Sequence, residues 1–391
     1  MKNDSNRINL RNGLTFSSRV GEFVDNSISS VIASAFLAPR LEGEPSSDTW
    51  YRLPVPEGIS GDGSEYYIYI KKGSSSNLCI FFSGGGVAWD EYTAARPITG
   101  ARRARGLPNF YWNNLRPITQ LMNINTGITD TNNPANPFRD WSFIVIAYAT
   151  GDLHIGNNDF PYTAEDGTRR LVHFRGHSNF RYAMKHALPM FPSADKLLIA
   201  GDSAGAFAVP ALTDEILSDF YPACRDVTVL SDSGQLMYTR WKHTAREIWA
   251  ADPSFWKPIH TRNLTMDWYE SLYSKRKDTI KYLYACSTHD YLLSAYYNDI
   301  VSKRYATNAA VRDVFNAQLM EMCDRFKAMT PKSGIYLNSW PNLIVIYPGL
   351  RGGTVHTALR RLNFYSKLDC DVTMAKWLED AVNGDIYDVR K

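Results

Sequence analysis

Short apolar runs punctuate this chain, and most are followed at once by glycine, serine or aspartate. Residues 65–71 (EYYIYIK) alternate in the manner of a strand, and a turn cluster, KGSSSN, follows at 72–77. Residues 78–82 (LCIFF), 143–147 (FIVIA), 196–200 (KLLIA), 227–230 (VTVL), 280–286 (IKYLYAC) and 343–347 (LIVIY) predict further strands. Most of these lack strict alternation, as expected where helices cover both faces of a sheet. Helical spacing lies between and behind them. Ser178 or Asn179 can cap a helix that runs to Leu188 before Pro189, and the small apolar residues after Ser203 read as a helix that Pro210 should kink or interrupt. Met374, Trp377, Leu378, Ala381 and Val382, behind Thr373, predict a closing amphipathic helix. Successive strand–helix units imply an α/β fold, a mostly parallel sheet with helices on both faces.

The polar residues 1–45 read as an N-terminal arm, with one packed helix at 30–38 (SVIASAFLA), and 46–391 as a single domain. Two insertions interrupt the α/β order. Residues 90–140 are rich in Pro, Asn and Arg, and 235–278 are aromatic and charged. An insertion of such length beside a glycine loop is expected to cap a cleft. A hydrophobic content of 44% gives ample core, and a net charge of +3 supplies no reason to expect a nucleic-acid partner. The run at 30–38 is too short to span a bilayer, so no membrane span is expected. Five scattered cysteines without Cys/His zinc spacing argue against a disulfide framework or structural metal. Sparse cysteines and a polar opening segment lead to a cytoplasmic expectation, with export by a leader beyond this sequence as the alternative. Oligomeric state is not readable.

The run at 196–200 leads straight into Gly201-Asp202-Ser203-Ala204-Gly205, a G-x-S-x-G pattern at a strand-to-helix turn. A serine at so tight a corner needs neighbours without clashing side chains, and the Ala204 N–H opening the helix points where an oxyanion would form. The competing reading is a plain helix cap. A serine nucleophile needs a base and an orienting acid. His356 lies on a glycine-bearing loop after the last predicted strand, and Asp290 lies four residues past the strand ending at Cys286. The order Ser203, Asp290, His356 is that of an α/β-hydrolase triad. Asp202, Asp232 and Asp299 compete for the acid role and His289 for the base. Gly84-Gly85-Gly86, directly after a strand and Ser83, offers further oxyanion donors at Gly85 and Gly86. Asp152 and His154 in GDLHIG are candidates to line the cleft, as is Trp89. His173 and His177 share one loop without an evident carboxylate partner, and no metal site is expected there.

Several segments together resemble the pectin acetylesterase family of serine esterases. FFSGGGVAWD (81–90) is similar to its glycine-rich loop, and NPFRDWSFIVIAYATGDLHIG (136–156) to its strand and turn. HFRGHSNFRYAM (173–184) resembles the stretch before its nucleophile, and GDSAGAFAVPAL (201–212) the nucleophile turn itself. VLSDSG (229–234) and the loops of Asp290 and His356 complete the set in order. The resemblance, from about residue 50 to 382, implies an α/β-hydrolase-like fold with inserted cap loops. It also implies Ser203, Asp290 and His356 as triad and Gly85, Gly86 and Ala204 as oxyanion hole. Ala88 and Ala149 stand where family members carry cysteine, and Ala206 where they carry glycine. The expected activity is cofactor-free serine ester hydrolysis, removing O-acetyl or other short acyl groups from a small-molecule or glycan ester. The alternatives are a lipase-like, lactonase, thioesterase or acyltransferase activity with the same triad, or a non-catalytic binding module.

Overall fold

The computed structural model describes residues 37–343, 348–367 and 372–390. Its strands are β1 (Trp50–Ile59), β2 (Glu65–Lys71), β3 (Leu78–Phe82), β4 (Ser142–Ile146), β5 (Asn158–Thr163), β6 (Arg169–Phe174), β7 (Lys196–Asp202), β8 (Asp226–Asp232), β9 (Ile280–Ser287) and β10 (Ser333–Asn338). Among the described residues, eight of these form one sheet in the order β1-β2-β4-β3-β7-β8-β9-β10, and β5 and β6 pair separately. From β4 to β10 all neighbours are parallel. The antiparallel strands β1 and β2 close one edge.

The longer helices are α1 (Gly176–Ala187), α2 (Ala204–Glu215), α3 (Leu264–Arg276), α4 (Tyr291–Ser302), α5 (Ala309–Met329) and α6 (Met374–Val382). Alternate residues of each strand feed two separate apolar layers. Ile80, Ile144 and Ile199 enter one with Phe180, Phe207 and Leu319. Cys79, Val145 and Leu198 enter the other with Trp377 and Leu378 of α6. Both faces of the sheet are therefore covered, which is why its central strands show no polar alternation. No helix among the described residues is long and apolar enough to cross a membrane.

Two expectations change. The helix before the Ser203 turn starts at Gly176, earlier than Ser178 or Asn179, because those two side chains are engaged elsewhere. Asn179 bonds both backbone groups of Ile59 (3.0 and 2.8 Å), and Ser178 bonds Asn157. Pro210 does not end α2. Proline leaves the carbonyl four residues earlier without its helical donor, and the Ser231 hydroxyl donates to that Ala206 carbonyl at 2.6 Å. Tyr269 Oη in turn donates to Ser231 Oγ at 2.6 Å. Among the described residues the last sheet strand is β10; of the strand expected at 343–347, Leu343 is 81% exposed and outside any strand, and residues 344–347 lie outside the described residues. The helix expected at 30–38 also lies outside them, apart from its last two residues.

Candidate active site

Parallel strands send their following loops out of the same sheet edge, and here the register brings four such loops together. Phe82 of β3 sits beside Gly201 of β7, and Asp202 of β7 beside Asp232 of β8. The glycine loop, the Ser203 turn, the Asp290 loop after β9 and the His356 loop after β10 thus meet at one edge.

Ser203 has φ 52° and ψ −121°, in the strained region that non-glycine residues rarely enter. The turn is tight because α2 starts against β3: a Cβ at Gly205 would run into the Phe82 carbonyl, and one at Gly201 into the Gly205 carbonyl. The spacing of glycines around Ser203 therefore follows from steric need. His356 Nε2 lies 2.8 Å from Ser203 Oγ, and His356 Nδ1 lies 2.7 Å from Asp290 Oδ2. A carboxylate only accepts, so Nδ1 carries the proton and Nε2 of the neutral ring is free to accept from the serine hydroxyl. Asp290 is fully buried, and its second oxygen accepts from the Leu292 and Leu293 amides (2.9 and 3.0 Å) at the start of α4. Burial pulls the His356 imidazole down, but the Asp290 carboxylate, aided by Asp202 and Asp232, more than offsets this and holds it above its ordinary value of 6.5.

The histidine and aspartate loops are stitched to each other. Thr354 N donates to His289 O (2.9 Å), Tyr291 N to Thr354 O (3.2 Å) and His289 N to Thr354 Oγ1 (2.9 Å). Gly84-Gly85-Gly86 approaches the serine so closely that a Cβ at Gly84 would stand 2.5 Å from Ser203 Cβ. Gly84 N donates to Asp202 Oδ1 at 3.0 Å. Among the described residues no acceptor is found for the Gly85 and Gly86 amides. Ala204 opens α2, so its N–H is one of those a helix leaves without an intrahelical acceptor.

These groups stand in a cavity of about 490 Å³. The 90–140 insertion lines it with Ile98, Trp112, Leu121 and Met122, and the segment around His356 with Trp340, Leu343 and Val355. The 235–278 insertion contributes none of the lining residues. Its α3 instead lies over α2, and its Trp249 and Thr244 bond the Ala88 and Trp89 carbonyls (2.8 and 2.9 Å).

Three residues expected in the cleft lie elsewhere. Asp152 is fully buried and gathers Thr150 Oγ1 (2.6 Å), His154 N (3.2 Å) and Gly176 N (2.7 Å), so it caps α1 from a distant loop. His154 donates from Nε2 to the Ser83 carbonyl (3.0 Å), and burial pushes it down to about 4, so it stays neutral. Trp89 is fully buried behind the cleft, its ring 5.8 Å from that of Tyr296, which does line it.

The rival residues are also placed. His289 turns to Thr288 and Asp313. His173 and His177 do meet carboxylates, Asp159 at 2.7 Å and Glu215 at 2.8 Å, in two separate pairs. Asp299 sits within α4, its carboxyl pushed up to about 6 by burial. Asp232 binds the backbone of the histidine loop: its Oδ2 accepts from Ala358 N (2.6 Å) and Leu359 N (2.7 Å), and burial pushes it up to about 6. Asp202 pairs with Arg360, Nε to Oδ2 at 2.5 Å and Nη2 to Oδ1 at 2.5 Å. Arg360 carries no signal in the sequence, because it meets Asp202 only across 158 positions. Among the described residues, one trio could ligate a metal, His260, Asp267 and Glu270, and it lies outside the cleft lining.

A parallel sheet covered on both faces, with a strained serine at a central strand end, belongs to the α/β-hydrolase-like class, here a carboxylic ester hydrolase. The family model for pectinacetylesterase matches residues 57–291, and the chain belongs to that family. No curated protein matches the chain by sequence. Among solved structures it is similar to the Wnt deacylase Notum from Drosophila in two crystal forms. One aligns with a TM-score of 0.56 at 16% identity, covering 85% of this chain and 92% of the other. The second aligns at 0.54 and 15%, with the same coverage of 85% and 92%. At such identity the likeness is one of fold.

Proposed function

We propose that this chain hydrolyses esters through Ser203, His356 and Asp290, acting on O-acetyl or other short acyl groups carried by a carbohydrate-type alcohol. The observation that carries the chemistry is the unbroken hydrogen-bond chain from Ser203 Oγ through His356 to Asp290, at 2.8 and 2.7 Å, in an open cleft. Ser203 Oγ attacks the acyl carbonyl while His356 Nε2 takes its proton, and Asp290 keeps the imidazole in the tautomer that can do so. The oxyanion is held by the Gly85, Gly86 and Ala204 amides, whose donors are fixed before the charge develops. His356 then protonates the leaving alkoxide as the C–O bond breaks. Water repeats the sequence on the acyl-serine, releasing the carboxylic acid and restoring the hydroxyl.

The family's name points to acetyl groups on pectin. Trp112 and Trp340 both line the cavity and offer flat apolar faces on which a sugar ring can stack. One observation favours a second reading. Ile98, Leu121, Met122, Leu343 and Val355 line the same cavity, whose volume of about 490 Å³ far exceeds an acetyl group, which fits a longer acyl chain. A panel of p-nitrophenyl esters of increasing length, run beside acetylated glycans, separates the two. Fluorophosphonate labelling of wild type but not of Ser203→Ala tests the nucleophile. Equal labelling of both proteins would remove Ser203 from the reaction.

A further inference from the structure

We propose that the buried Asp202–Arg360 ion pair is a positioning device for the ester hydrolysis, clamping the 84–86 glycine loop and the His356 loop against Ser203. The inference rests on the Ser203–His356–Asp290 reading. Asp202 is the last residue of β7 and directly precedes the serine, and both its oxygens are engaged. Oδ1 accepts from Gly84 N (3.0 Å) and from Arg360 Nη2 (2.5 Å), and Oδ2 meets Arg360 Nε at 2.5 Å. One carboxylate thus joins three segments: the loop bearing the Gly85 and Gly86 amides, the turn bearing the nucleophile, and the loop four residues beyond His356.

Two features argue for geometry over simple stability. First, Asp202 and Arg360 are 2% and 6% exposed. A buried ion pair is a poor source of stability, because desolvating two charges roughly cancels their attraction. What it does supply, through one charge-assisted hydrogen bond from Arg360 Nη2 and the close approach of Nε, is orientation. Second, the histidine loop needs holding. Thr357, next to His356, has φ 68°, a strained value for a β-branched residue. Ser233 Oγ accepts from Thr357 N (3.2 Å), Asp232 takes the next two amides, and Arg360 closes the same stretch onto Asp202. Releasing the last tie would let His356 drift from Ser203 and the glycine loop from the oxyanion position. A displacement of about 1 Å in such a site costs up to about a hundredfold in rate.

The test uses the whole chain and p-nitrophenyl acetate, with Asp202→Asn, Arg360→Ala and the double variant, each checked for folding by circular dichroism and urea unfolding. Folded single variants are expected to lose about tenfold to a hundredfold in kcat while KM stays within about twofold. The double variant should lose no more than the worse single, since both substitutions cut one tie. Ethylguanidinium added to Arg360→Ala should recover several-fold in kcat, where equal ethylammonium should not. If Arg360→Ala fails to fold, Asp202→Asn alone decides the matter. Folded variants with kcat within threefold of wild type, a loss confined to KM, or losses that multiply in the double variant would each overturn the proposal. Full activity of Ser203→Ala would instead overturn the reading beneath it.

Discussion

Replacing Asp290 by asparagine is the sharpest probe of the proposed reaction, because the surroundings dictate which way the new amide must face. Asp290 Oδ1 accepts from two backbone amides, Leu292 N at 2.9 Å and Leu293 N at 3.0 Å, whereas Oδ2 faces His356 Nδ1 at 2.7 Å. In Asp290→Asn the carboxamide oxygen has to stay on the two N–H groups, since an NH2 there would oppose two donors. The NH2 is then forced towards His356, where it can only donate. Nδ1 must become the acceptor, the ring proton moves to Nε2, and Ser203 Oγ loses the lone pair that should take its proton. A wrong tautomer of this kind costs about 10⁴ in kcat, which at 1.36 kcal/mol per tenfold is about 5 kcal/mol of transition-state stabilisation. The substitution is isosteric and keeps both helix-capping bonds, so the urea midpoint should move little. The assay is kcat on p-nitrophenyl acetate at pH 7 to 8, paired with urea unfolding. A loss below tenfold in a protein with the wild-type midpoint would refute Asp290 as the orienting acid.

Three further outcomes are expected. The His356 imidazole is held above 6.5 and must be neutral to act, so kcat/KM should fall as pH drops through a midpoint above 6.5, and a midpoint below 6 would count against His356 as the base. Gly205→Ala drives a methyl into the Phe82 carbonyl at the strand–helix junction and should destabilise by about 3 kcal/mol or more in urea unfolding; a change below 1 kcal/mol would show that the junction can yield. Ser231→Ala strands the Ala206 carbonyl that Pro210 leaves without a helical donor, and should cost about 1–3 kcal/mol by the same measurement while leaving KM near wild type.

Much of the architecture was legible because burial leaves a mark on composition. The runs at 78–82, 143–147, 196–200, 227–230 and 280–286 all fall on strands, within two residues at either end. What stayed hidden has physical reasons. β1 carries Pro54 and Pro56, which a sheet tolerates because β1 is its edge. β10 reads SGIYLN, with small and polar residues at its ends, and the more apolar stretch that follows draws attention away from it. The meeting of Ser203, Asp290 and His356 could be expected from their order along the chain and from the strands that end just before the first two. The contacts of Asp202, Asp232 and Arg360 could not, because their partners lie in remote segments and a lone charge in sequence looks like a solvated one. Asp152 and His154 illustrate the converse. A polar pair beside a glycine suggests a site, yet both are spent on holding backbone in place.

Ile98, Leu121, Met122, Trp340 and Leu343 belong to neither apolar layer of the sheet, although all five face the cleft. Reshaping them leaves the interior that keeps the molecule folded untouched, so the surface that chooses among esters is free to diverge at small thermodynamic penalty. Relatives with the same reacting groups can then differ widely in what they cleave, and swapping only these side chains is the economical route to a new preference.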